Sequence, residues 1–179
     1  DRNPAMKVLF LSQIVPYPPH GRVLQRGYNL LRQLAPRASV HLLAFVHPDV
    51  LPTAETLEDS RRVLQQCCRT VEYFPLWPKT SAAHRVAALG LGLCSREPFS
   101  VIAHRSAAFG QRVRNIVRDR RIDVLHVDTV ALSQFVPPGL TTATVLTHHN
   151  IESRLMERRA EVETRTLARW YLTREVAKL

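Results

Sequence analysis

Residues 6–31 read MKVLFLSQIVPYPPHGRVLQRGYNLL, and the fold is decided there. A continuous apolar run, Val8, Leu9, Phe10 and Leu11, passes into a polar, proline-rich loop from 13 to 21. An apolar stripe at Leu24, Tyr28, Leu31 and Leu34 follows. This is the pattern of strand, loop and helix. A strand without polar alternation is buried on both faces, as in a parallel sheet covered by helices on either side. The loop then leaves the carboxyl end of an interior strand, where open α/β sheets place their ligands.

The rest of the chain repeats the unit. After Pro36, residues 40–46 (VHLLAFV) form a second strand, and 53–67 carry Leu57, Val63, Leu64 and Cys67 among charges, an amphipathic helix that Thr53 is suited to cap. Residues 70–75 make a short third strand, edge-like because Pro75 and Pro78 close it. Residues 81–93 read as a small, apolar helix fraying at Gly90 and Gly92, and 103–118 as a helix with Phe109, Val113, Ile116 and Val117 on one face. Strands at 123–128 and 143–147 flank a loop with a short helical turn. From Ile151 onward no Gly or Pro intervenes, which predicts helix to the last residue, ending with Trp170, Tyr171, Leu172, Val176 and Leu179 uncovered. Alternating β and α with right-handed crossovers defines an α/β, Rossmann-like, doubly wound parallel sheet with helices on both faces.

Composition bounds the classes of function. The 179 residues fit one domain, taken as 6–179, with residues 1–5 a non-native remnant ahead of Met6. No apolar run approaches the roughly 20 residues needed to cross a bilayer, so a soluble protein is expected. The net charge of +10, mostly arginine, attracts nucleic acid, acidic headgroups or phosphorylated substrates, and also fits half of a larger protein whose other domain carries the compensating acid. No nucleic-acid recognition motif accompanies it, so no nucleic-acid partner is expected. Cys67, Cys68 and Cys94 form no CxxC, which reads as buried free thiols in a reducing cytoplasm rather than as a metal site.

Three loops should gather at one rim: 13–22 after the first strand, 128–133 after the fourth and 148–154 after the fifth. In the common doubly wound order, the switch point lies between strands one and four. The first loop has neither GxGxxG nor GxxxxGK[ST], which excludes a P-loop and disfavours an NAD-linked enzyme. What it offers is a helix start near Gly21 or Arg22, whose free N–H groups suit a phosphate. Gly21 is equally explained as a turn glycine. Arg22 and Arg26, one turn apart, either meet an anion or are solvated. His148 and His149 end the fifth strand and are followed by Asn150 and Glu152. Adjacent side chains diverge there, so one histidine faces the cleft and the other turns away. Asn150, or else Ser153, serves equally as a helix N-cap, leaving the histidines incidental. His20, His47, His84, His104 and His126 have no partners in sequence and are read as structural or solvated.

Residues 6–35, with their strand, PYPP-and-Gly loop and helix ending in LLxxLA, resemble the opening of the amino-terminal domain of GT-B glycosyltransferases of the family 4 group. IDVLHVD followed by TVLTHHNIES is similar to the paired strands near the end of that domain. The likeness implies a retaining, metal-independent, cofactor-free sugar transferase using a nucleotide-diphosphate sugar. Its acceptor-side half would be this domain, and the carboxyl-terminal donor-binding domain would be missing. It implies that His149 is catalytic, touching the transferred sugar or the acceptor, and that Gly21 approaches the donor phosphates. Asn150 and Glu152 would shape the same rim; Arg22 and Arg26 at the helix start and Asp128 in the loop after the fourth strand complete the substrate-binding set by their position. It also allows a peripheral contact with the inner membrane face. Family members often carry two consecutive glycines in the first loop, whereas Gly21 is flanked by His20 and Arg22.

Stabilising a departing diphosphate requires fixed positive charge from both walls of a cleft, so this half is expected to be silent alone. A binding or regulatory module using basic helices on nucleic acid is the other class. It would bind at low salt and release steeply as salt rises. A sugar-transferase half would instead place its largest concavity at the three-loop rim.

Overall fold

A computed structural model describes residues 6–147 and 152–179. Five strands, β1 (Met6–Ser12), β2 (Ala38–Val46), β3 (Thr70–Pro75), β4 (Val124–Val127) and β5 (Ala143–Leu146), form one sheet in the order β3-β2-β1-β4-β5. Every pairing is parallel. Helices α1 (Arg22–Leu34), α2 (Ala54–Leu64), α3 (Ala82–Cys94), α4 (Phe99–Ala103), α5 (Ala107–Arg120), α6 (Glu152–Val162) and α7 (Thr166–Val176) make the connections and the tail. The expected Rossmann-like α/β fold is the one found.

The unbroken apolar runs are explained by two cores, one on each face. Odd positions Leu9, Leu11, Leu43 and Phe45 pack with Phe109, Val113 and Ile116 of α5. Even positions Val8, Phe10, Val40, Leu42 and Ala44 pack with Leu31 of α1 and Leu64 of α2. Side chains alternate along a strand, so a strand sandwiched between two helical layers needs apolar residues at every position. On the α5 side, Phe45 stacks on Phe109 with ring centroids 4.5 Å apart, and Phe109 lies 4.7 Å from Phe135.

Helix starts follow local chemistry. Thr53 caps α2 in a reciprocal capping box with Thr56, while Ser81 and Ser106 cap α3 and α5. The helix expected over 103–118 is α5, which starts only at Ala107, and a separate short helix, α4, precedes it and ends at Ala103. His104, buried between them, has Nδ1 2.7 Å from the Ser100 carbonyl, and Ser106 starts α5 afresh by accepting from the Phe109 N–H. Nor does helix run unbroken to the last residue. The Glu163 carboxylate accepts from both the backbone N–H and the Nε of Arg165, each at 3.0 Å, which ends α6 and lets α7 turn back.

α7 is tied to α3 and α4 through their backbone ends. Glu175, 3% exposed, accepts from the Phe99 N–H at 2.6 Å. Lys178 Nζ donates to Glu175 and to the Gly92 carbonyl, and Arg174 donates to the Leu93 carbonyl. Tyr171, Leu172 and Val176 are thereby half-buried, and of the terminal apolar set Trp170 and Leu179 stay exposed. The thiols differ in burial: Cys68 is buried, Cys67 partly so and Cys94 exposed. Among the described residues, no helix is long and apolar enough to cross a membrane.

Candidate functional site

The observed strand order puts the switch point between β1 and β4, and the loops after β1, β4 and β5 leave the sheet at one edge. The first loop is held firmly. Val15 and Pro16 are buried, and the Val15 N–H donates to the Phe45 carbonyl at the end of β2 at 3.0 Å. Gly27, inside α1, leaves little room for a side chain: a Cβ there would sit 3.1 Å from the Pro16 Cβ, so helix and loop are closely packed. The Tyr17–Pro18 peptide is cis, and the Tyr17 and Tyr28 rings lie 5.8 Å apart.

Gly21 closes the loop as the N-cap of α1, with φ 81° and ψ 162° and no side-chain cap hydrogen bond among the described residues. Nothing lies within 4 Å of where its Cβ would be. The turn-glycine account is thus correct as to backbone, and the same geometry leaves an open helix start. Arg22 and Arg26 are exposed on the first turns of α1.

Asp128 is 3% exposed, and its carboxylate oxygen lies 3.3 Å from the Ser12 hydroxyl. That hydroxyl is 2.7 Å from the Ile14 carbonyl, and the Asp128 N–H donates to the Leu11 carbonyl at 3.0 Å. Asp128 therefore stitches β4 to β1 at the switch point. Glu152 is the first residue of α6. His148, His149 and Asn150 lie outside the described residues, and the chain reaches them from Thr147, whose N–H donates to the Val127 carbonyl at the same edge.

Two histidines read singly from the sequence meet at this rim. His47 follows β2, and His104 ends α4; their ring centroids are 6.5 Å apart. His104 Nε2 lies 3.4 Å from the Gln13 carbonyl, and the same backbone group contacts His47. Burial, then the neighbouring His104 and Lys79, push His47 down to about 4, so it is neutral at physiological pH. Its position directly after a strand was the available signal, the same one that drew attention to His148 and His149. His126 is packing: it is 7% exposed and stacks on Phe10 at 4.3 Å.

A groove of about 830 Å³ lined by described residues opens at the opposite, amino edge. The three-loop rim, where the dominant concavity was expected, includes residues 148–151, which lie outside the described residues. Among the described residues no group of three or more His, Cys, Asp or Glu is placed to hold a metal ion. What the rim supplies is an uncapped helix start, a neutral imidazole at His47 and a buried carboxylate already in use. These are groups for orienting a ligand. The Ser12 hydroxyl, 1% exposed and engaged, is not an accessible nucleophile.

Comparisons with family models, curated proteins and solved structures returned no match.

Proposed function

We propose that this domain is the acceptor-side half of a retaining GT-B glycosyltransferase, which moves a sugar from a nucleotide-diphosphate donor to a glycan, lipid-linked or small-molecule acceptor. The observation that carries the reading is the open start of α1 at Gly21, set at the same edge as the ends of β4 and β5. A helix start with free N–H groups favours negative charge. In this reading the diphosphate lies against Gly21 and Arg22, Asp128 keeps the β1 and β4 loops in register, and His149, Asn150 and Glu152 shape the sugar side. Arg26 reinforces the field one turn further along. A second domain supplies the facing wall and most of the positive charge. The cytoplasm, with peripheral attachment at the inner membrane face, belongs to the same proposal.

The test has two arms. Titration with a panel of nucleotide-diphosphate sugars should perturb the backbone NMR signals of Gly21 and Arg22 while producing no transfer or hydrolysis. Turnover by the domain alone would show that the donor site is misplaced, and unperturbed signals at the α1 start would remove the basis of the reading.

A further inference from the structure

The groove of about 830 Å³ at the amino edge lies across the sheet from the rim and has no part in the proposal above. It is lined by Lys7 from β1, Arg69 ahead of β3, and Arg120 and Arg121 at the end of α5, around His41 of β2. Strand register places them together: Lys7 is paired with Ser39, and His41 with Thr70.

Part of this charge has a structural use. Helix carboxyl ends, which carry partial negative charge, face this edge, and Lys7 Nζ answers one by donating to the Arg120 carbonyl at 3.1 Å. An Arg120 guanidinium N–H donates to His41 Nδ1 at 3.0 Å. Arg69 and Arg121 exceed that need, for neither side chain has a hydrogen-bond or ion-pair partner among the described residues, and both are exposed. Nearby acids are committed: Asp119 pairs with Arg118, Glu72 takes Arg112 through two hydrogen bonds, and Asp123 accepts the Lys7 N–H. His41 reports the resulting field, pushed down to about 4 by burial, Arg120 and Arg69. It adds no charge of its own.

We infer that this amino-edge groove is a binding site for a small soluble ligand bearing linked phosphates, held by Arg69 and Arg121 with Lys7 and Arg120 behind them. The volume suits a small molecule. No Phe, Tyr or Trp lines the groove, and the His41 ring is buried and held by Thr70 and Arg120, so no exposed aromatic ring is offered to a base and recognition falls mainly on the phosphates.

Isothermal titration at low ionic strength, with pyrophosphate, ADP and a short single-stranded oligonucleotide as probes, tests this. Pyrophosphate and ADP should bind with similar affinity, and the double variant Arg69→Gln, Arg121→Asn should bind both about tenfold or more weakly. Asparagine is chosen at 121 because that residue has φ 50°, which asparagine tolerates. Backbone NMR locates the binding: pyrophosphate should move the signals of Lys7, Ser39 and Cys68 around the groove, and the double variant should abolish those shifts while leaving any at Gly21 and Arg22, which separates this site from the α1 start. An unchanged thermal midpoint in the double variant without ligand secures the fold. Shifts around the groove that survive the double variant, or groove signals that pyrophosphate leaves unmoved in the wild type, overturn the inference. An oligonucleotide that binds more tightly than pyrophosphate and loses that affinity in the double variant overturns the choice of a small ligand.

Discussion

Gly21→Ala isolates the backbone contribution at the α1 start. With φ 81° and ψ 162°, Gly21 occupies a region reached essentially by glycine alone, and holding another residue there costs about 1–3 kcal/mol. Since a Cβ would meet nothing within 4 Å, no clash adds to that figure. For a chain of this size, each kcal/mol lowers the melting temperature by about 2–4 °C, so a fall of about 2–12 °C is expected by circular dichroism. Gly90→Ala is the matched control. Gly90 is also exposed with open space around it, but lies inside α3, where alanine should stabilise by about 0.5–1 kcal/mol. D-alanine introduced at 21 by semisynthesis should restore the wild-type melt, because its preferred φ is positive. If Gly21→Ala melts at or above wild type, or D-alanine is as damaging as L-alanine, the described loop conformation is wrong and the open helix start goes with it.

Stability should also fall with acid. His41 and His47 are held at about 4 in the folded state against an ordinary 6.5, so the unfolded chain takes up protons first. Their contribution is complete above pH 6.5 and is lost as pH falls towards 4. A tenfold difference in proton affinity between the two states corresponds to about 1.4 kcal/mol, and allowing for screening we expect about 1–2 kcal/mol lost per ring. Urea midpoints that stay flat from pH 7 to about 4.5 would refute this. Lys178→Met should destabilise by about 3–5 kcal/mol because it strands the buried Glu175 carboxylate. Combining it with Glu175→Gln should recover part of that loss in a denaturant double-mutant cycle, and strictly additive effects would deny the pair its role in docking α7.

The layered sheet was readable because burial on two faces leaves a mark on every strand position. Val8 to Leu11 belong alternately to two cores, and no solvent-facing position interrupts them. Thr53 was readable as a cap because its partner, Thr56, is three residues away. The break between α4 and α5 was hidden: His104 owes its burial to Phe45 and Gln13, which are distant in sequence, and neither can be inferred from the residues around it. For the same reason His47 and His104 each looked solitary until the fold set them on either side of the Gln13 backbone.

The two edges of the sheet also account for why net charge is a poor guide to the site. In a parallel α/β sheet, helices run antiparallel to the strands, so helix N-termini gather at the carboxyl rim and supply positive potential through backbone alone. Arg22 and Arg26 add to it there, but the rim needs few cations to hold an anion. Helix carboxyl ends gather at the amino edge, where cations are needed to offset them, and arginines at the ends of α2 and α5 fall there on structural grounds. A chain charge of +10 therefore says little about which edge binds a ligand until the cations used by carbonyls and carboxylates are subtracted. Once they are, Arg69 and Arg121 remain at the amino edge. Their separation by more than fifty residues, joined only through strand register, is why no reading of the sequence could have paired them.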